Sequence, residues 1–167
     1  GQGAHIEDGP HLGTAAPDAA GHPGHDGKNR GESSQRHARS RMKTALVLVD
    51  LQNAFCRPDG SYARRGFQIP GVDRVIAACA HALEESRTRG WDVIFTRLVF
   101  RPDYSDGGLL VADQPQIRAL SAYRAGGADC RIIGELAPQP GDLVIDKQRY
   151  DPFVNTSLEA DLRSRGI

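Results

Sequence analysis

The chain carries no net charge, no long apolar run and no paired cysteine motif, and each absence removes a class of protein. Lys and Arg together number 21, and so do Asp and Glu. Neutralising phosphates needs a clustered basic excess, so neither nucleic acid nor an anionic membrane surface is an expected partner. No stretch approaches the roughly 18 consecutive apolar residues of a membrane span. The three cysteines are an odd number, without CxxC or any other ligand spacing, which disfavours a disulfide scaffold or a zinc site. Reduced thiols in a cytoplasmic protein are the simplest expectation. At 167 residues, the length fits one domain with a tail.

Methionine occurs once, at Met42, and it marks a break in composition. Residues 1–41 hold eight Gly, three Pro and five of the six His, with Ile6 and Leu12 as their large aliphatics and no aromatic residue. Such a stretch cannot bury enough apolar surface to offset its ordering entropy, and it is expected to be a disordered tail. It lacks the apolar centre of a secretory signal. Its histidines (His5, His11, His22, His25, His37) are read as solvated, because a segment without a fold cannot preset metal-ligand geometry.

Residues 42–167 read as a domain. TALVLV at 44–49 is a continuous apolar run, which suits a strand buried on both faces of a parallel sheet. Residues 71–89 follow at helical spacing (Val72, Val75, Ile76, Cys79, Ala80, Leu83), and Gly90 stands where a helix end favours it. DVIFTRLVF at 92–100 is a second strand, and residues 143–145 a third after the turn PQPG. TSLE at 156–159 reads as a capping box opening a helix that runs to Arg165 and stops at Gly166. The alternation predicts an α/β fold: three α/β/α layers with a doubly wound, mainly parallel sheet. Two long connections, 51–70 and 101–137, interrupt the rhythm, and only the second is expected to hold a short helix, at 114–123. Both follow carboxyl ends of strands, where open α/β sheets bind ligands.

Asp50 ends the first strand and Lys147 follows the third. In a doubly wound sheet both ends open on one side, so the two could meet in one crevice. On spacing alone, a turn or helix-cap carboxylate and a solvated lysine remain open alternatives. A dinucleotide-binding or flavodoxin-like reading is disfavoured, because DLQN after the first strand lacks the glycines for close pyrophosphate approach.

DLQNAF at 50–55 after a buried strand, then PGDLVIDK at 140–147 followed by Arg149, Tyr150 and Phe153, resembles the isochorismatase-like cysteine hydrolases. The resemblance covers 44–167; Ala54 stands where many members carry Asp. It implies an Asp–Lys–Cys triad, with Asp50 and Lys147 as its first two members and no cofactor. The cysteine would follow a fourth strand at a helix N-terminus, where amide N–H groups and the helix dipole stabilise a thiolate. That segment would lie beyond Ile167, so the chain is expected to be the N-terminal part of such a domain and inactive alone. None of the three cysteines fits: Cys79 is on an apolar helix face, Cys130 precedes the lysine, and Cys56 is not expected at a helix start.

Nicotinamidases of this superfamily bind metal through Asp and His after the second strand. LVFRPDY at 98–104 has no histidine, so no metal is expected, and the metal-free branch acting on ureido or carbamoyl compounds fits better. Pocket candidates are Gln52 and Asn53 to orient an amide, Phe55 as a wall, and Arg101, Tyr104 and Tyr150 on strand-end loops. Arg101 could hold a substrate carboxylate. The expected partner is a small amide or ureide, and the resemblance implies a homo-oligomer in the complete protein. The competing reading is a catalytically inactive α/β binding or assembly module of the same fold.

Overall fold

A computed structural model describes residues 43–167; the expected tail at 1–41 lies outside the described residues. Three strands, β1 (Ala45–Val49), β2 (Asp92–Leu98) and β3 (Leu143–Lys147), form one parallel sheet in the order β1-β2-β3. In register, Ala45 faces Asp92, Ile94 faces Leu143 and Leu98 faces Lys147.

The central strand explains its own sequence. Successive residues Val93, Ile94, Phe95 and Thr96 are all buried, because both faces of β2 are covered. Val93 and Phe95 pack with Leu48, Ile76 and Leu83, the latter two from helix α3, while Ile94 packs with Ile145 and Leu158 on the opposite face. Among the described residues β1 is an edge strand. Leu48 enters the core, but Val47 and Val49 are 41% and 54% exposed.

Connections supply the helices: α1 (Asn53–Cys56), α2 (Ser61–Arg64), α3 (Val72–Thr88), α4 (Gly108–Asp113), α5 (Gln116–Ala119) and α6 (Leu158–Arg165). α3 ends as its sequence predicts. Gly90 adopts φ +65°, its N–H donates to Arg87 O (3.0 Å), and Trp91 N–H donates to Ser86 O (2.9 Å), a Schellman closure.

Several boundaries differ from expectation, each for a local reason. The expected helix at 114–123 is shortened to α5, with Ser121 and Tyr123 at positive φ beyond it, and a separate helix, α4, forms ahead of Pro115. Proline supplies no amide N–H to extend a helix through it. The 51–70 connection, expected to be without helices, forms α1 and α2. Gly60 lies so close beneath α1 that a Cβ there would stand 2.3 Å from Asn53 O. β2 stops at Leu98 rather than residue 100, because Phe100 turns to exchange backbone hydrogen bonds with Tyr123 and Ala125. β3 runs on to Lys147, so this lysine is the last strand residue. The capping box is not formed: Thr156 Oγ1 accepts from Leu158 N–H (3.2 Å), and Glu159 pairs with Arg163 instead.

Candidate active site

Asp50 is where the chain leaves the sheet. Its N–H still bonds to Thr96 O (3.1 Å), but its φ is +56°. Left-handed backbone costs a non-glycine residue about 1 kcal/mol, and Asp is among those that tolerate it. The turn swings the carboxylate over β2 toward β3. β1 and β3 are not neighbours, and two strand spacings separate them by roughly 10 Å; the long lysine side chain closes the gap. Lys147 Nζ donates to Asp50 Oδ2 at 2.8 Å, and Thr96, on the strand between, donates its hydroxyl to Asp50 Oδ1 at 3.1 Å.

Lys147 is 2% exposed. Its ammonium also donates to Arg149 O (3.3 Å) and Tyr150 O (3.4 Å), so its donors are engaged although the group is out of water. A buried ammonium beside a carboxylate can stabilise an anion arriving next to it, and the carboxylate can accept and return a proton.

The pair opens into a cavity of about 400 Å³. Phe55, Leu98 and Ile117 line it with Tyr123 and Tyr150. Phe55 stacks on Tyr123 with ring centroids 5.2 Å apart. Of the predicted pocket residues, the structure brings Phe55 and Tyr150 to this cavity beside Asp50 and Lys147.

Four others are placed elsewhere. Gln52 is fully buried beneath the crevice: its Nε2 donates to Leu98 O (3.1 Å) and its Oε1 accepts from Leu98 N–H (2.6 Å). Asn53 faces away, donating to Ala128 O (3.0 Å). Tyr104 is a core residue whose hydroxyl donates to Ala122 O (3.0 Å). Arg101 is exposed and not among the cavity's lining. Lining the cavity instead, and not singled out by the sequence, are Arg65, Gln114 and Tyr123. The one available signal was their position in the two long connections.

No cysteine, serine or histidine lines this cavity among the described residues. Cys56 and Cys130 are buried. Burial pushes the thiols of Cys56 and Cys79 up, and that of Cys130 up to about 11. Cys130 also donates its S–H to Arg124 O (3.1 Å). At pH 8 a thiol with that value is thiolate to about one part in a thousand. Labelling with an aromatic disulfide reagent at pH 8 is therefore expected to be at least about tenfold slower in native than in denatured protein. Fast native labelling at Cys130 would contradict this placement.

A parallel sheet covered by helices on both faces, with an ion pair between buried Lys147 and partly exposed Asp50 at its carboxyl edge, puts this protein among α/β folds with a strand-end crevice. The chain belongs to the isochorismatase family, whose Isochorismatase domain matches residues 44–167. It is 36% identical over 137 residues to the ureidoacrylate amidohydrolase RutB of Azorhizobium caulinodans, covering 75% of this chain and 60% of the relative. The RutB of Variovorax paradoxus is 36% identical over 136 residues, covering 74% and 54%. This chain thus spans between half and two thirds of the length of these relatives. Among solved structures it is similar to a cysteine hydrolase from Pseudomonas syringae pv. phaseolicola, with TM-score 0.68, 29% identity, and 75% and 56% of the two chains covered. The N-carbamoylsarcosine amidase of Thermoplasma acidophilum matches with TM-score 0.56 and 28% identity, covering 75% and 64%.

Proposed function

We propose that this chain supplies the aspartate and lysine of a cysteine hydrolase that cleaves a C–N bond in a small amide or ureide. The observation that carries the reading is the 2.8 Å contact between Asp50 and buried Lys147 across an intervening strand, at the floor of a ligand-sized cavity. The amidohydrolase and amidase relatives point to the same bond.

The nucleophile is a cysteine from a segment following Ile167. The edge of β1 that is unpaired among the described residues supports this. A further parallel strand along β1 would deliver its carboxyl end beside Asp50. Asp50 takes the thiol proton, and Lys147 stabilises the resulting thiolate. The thiolate attacks the carbonyl carbon. As the tetrahedral intermediate collapses, the C–N bond breaks and the leaving nitrogen takes the proton from Asp50. Asp50 then deprotonates a water, which attacks the thioester carbonyl, and the departing sulfur recovers the proton. The 167-residue chain alone carries no turnover on this reading.

Ammonia release by the complete gene product, measured on a panel of ureides and amides, tests the proposal. Asp50→Asn and Lys147→Ala are each expected to lower kcat by about 10²–10⁴-fold. Activity within about tenfold of wild type in either variant removes that residue from the mechanism. A panel bound but never hydrolysed by the complete protein would favour the inactive binding module.

A further inference from the structure

We infer that Asp129, which lines no part of the Asp50–Lys147 cavity, is a positioning residue for it: its carboxylate ties two walls of the cavity together and sets how tightly substrate is held, without taking part in bond cleavage. The inference rests on the proposed hydrolase for the reaction, and adds a residue that controls affinity from outside the site.

Two buried backbone N–H groups lack a backbone acceptor. Ser61 is the first residue of α2, where a helix has no carbonyl to offer its own N–H. Tyr123 has φ +56°, a left-handed turn that points its N–H away from the preceding α5. Ser61 is 0% and Tyr123 2% exposed, so water does not serve either group. The carboxylate of Asp129 serves both: Oδ1 accepts from Ser61 N–H (3.3 Å) and Oδ2 from Tyr123 N–H (3.4 Å). Among the described residues neither N–H has another acceptor. A buried donor left without an acceptor is costly, and an ionised acceptor is the stronger kind.

Both anchored backbones carry cavity wall. Tyr62 and Arg65 of the α2 segment line the cavity from one side, and Tyr123 from the other. Phe55 lies between them, with its ring centroid 5.5 Å from that of Tyr62 and 5.2 Å from that of Tyr123. Arg65 closes the circuit by donating to Tyr123 Oη (3.2 Å). The walls come from two connections remote in sequence, and Asp129 joins them at the backbone, where the separation of the rings is fixed.

The carboxylate stands apart from the chemistry. Asp129 lines a separate surface depression with Gly60 and Arg64, and no hydrogen bond joins its side chain to Asp50, Lys147 or Thr96. Its backbone carbonyl accepts from Gln52 Nε2 (3.4 Å), a bond that survives substitution of the side chain. Loosening the carboxylate therefore frees the walls and leaves the Asp50–Lys147 pair in place.

Asp129→Ala removes both acceptors. Asp129→Asn keeps the shape but puts an NH2 group where one oxygen stood, so one N–H loses its acceptor whichever way the amide turns. In the complete gene product, KM for a hydrolysed amide or ureide is expected to rise at least about tenfold in Asp129→Ala and at least about threefold in Asp129→Asn, with kcat within about threefold of wild type. A merely structural loss would lower the folded fraction, and with it the apparent kcat at unchanged KM. Hydrogen exchange followed by NMR reads the tie without turnover: the Ser61 and Tyr123 amides should exchange at least about tenfold faster in Asp129→Ala, with the amides of β2 unchanged. Unchanged KM in a folded variant, a fall in kcat alone, or unchanged exchange at both amides overturns the positioning role. Faster exchange at both amides in a protein that hydrolyses no member of the amide and ureide panel would sustain the tie and overturn the hydrolase. Turnover with KM and exchange unchanged in Asp129→Ala would do the opposite.

Discussion

Asp50→Ala is expected to destabilise the complete gene product by about 3–5 kcal/mol, more than any other single change in the cavity. The reason lies in Lys147 rather than in the aspartate. With its side chain 3% exposed against 24% for Asp50, the lysine cannot recover hydration when its counter-charge is removed. Two carbonyl oxygens would remain as partners, but neither carries a full charge. Alanine must also adopt the left-handed backbone at this position, which adds about 1 kcal/mol. Lys147→Met should cost less, because the carboxylate left behind is partly in water and keeps the Thr96 hydroxyl. Asp50→Ala combined with Lys147→Met should recover most of the stability lost in Asp50→Ala while remaining inactive. Urea denaturation of the four proteins measures this. A single-variant loss under about 1 kcal/mol, or a double variant no more stable than Asp50→Ala, would show that the pair is not the buried coupling described.

Gln52→Ala should have the second largest effect. The ladder between β1 and β2 breaks at Asp50, and the Gln52 side chain takes the ladder's place. Its primary amide imitates a peptide group, giving one donor and one acceptor to Leu98. Truncation leaves the N–H and C=O of Leu98 buried without partners, at about 1–3 kcal/mol each. It also frees the turn that aims the Asp50 carboxylate. We therefore expect a loss of about 2–5 kcal/mol in stability together with a fall in kcat. Gln52→Glu should not rescue, since a carboxylate cannot donate to Leu98 O. Denaturation and steady-state kinetics on the same variants decide it. An alanine variant of near wild-type stability would show that the amide is dispensable to the fold.

Gln52 also shows where sequence reading stops. Its place just beyond a strand-ending aspartate suggests substrate contact, and an amide is chemically suited to it. The same chemistry suits an amide to replace a peptide group, and only the path of the chain at Asp50 decides between them. Tyr104 and Arg101 follow the same logic. Their loop turns down into a cluster with Phe100 and Ile117, burying the tyrosine and leaving the arginine outside.

The amino-acid sequence by itself determined the three strands, the long helix α3 with its glycine stop, and the shared edge on which Asp50 and Lys147 stand. Those features follow from short-range patterning: apolar runs rich in β-branched residues mark strands, although among the described residues only β2 is buried on both faces while Val47 and Val49 of β1 are exposed, and parallel strands bring their carboxyl ends to one side. Only the tertiary structure decided that the two charges touch, that Arg65 lies in their cavity and that the three thiols lie outside it. Those facts depend on how two long, weakly patterned connections fold back over the sheet. Such connections are held by contacts between residues remote in sequence, such as Arg65 with Tyr123 and Gln52 with Leu98, which no local periodicity encodes.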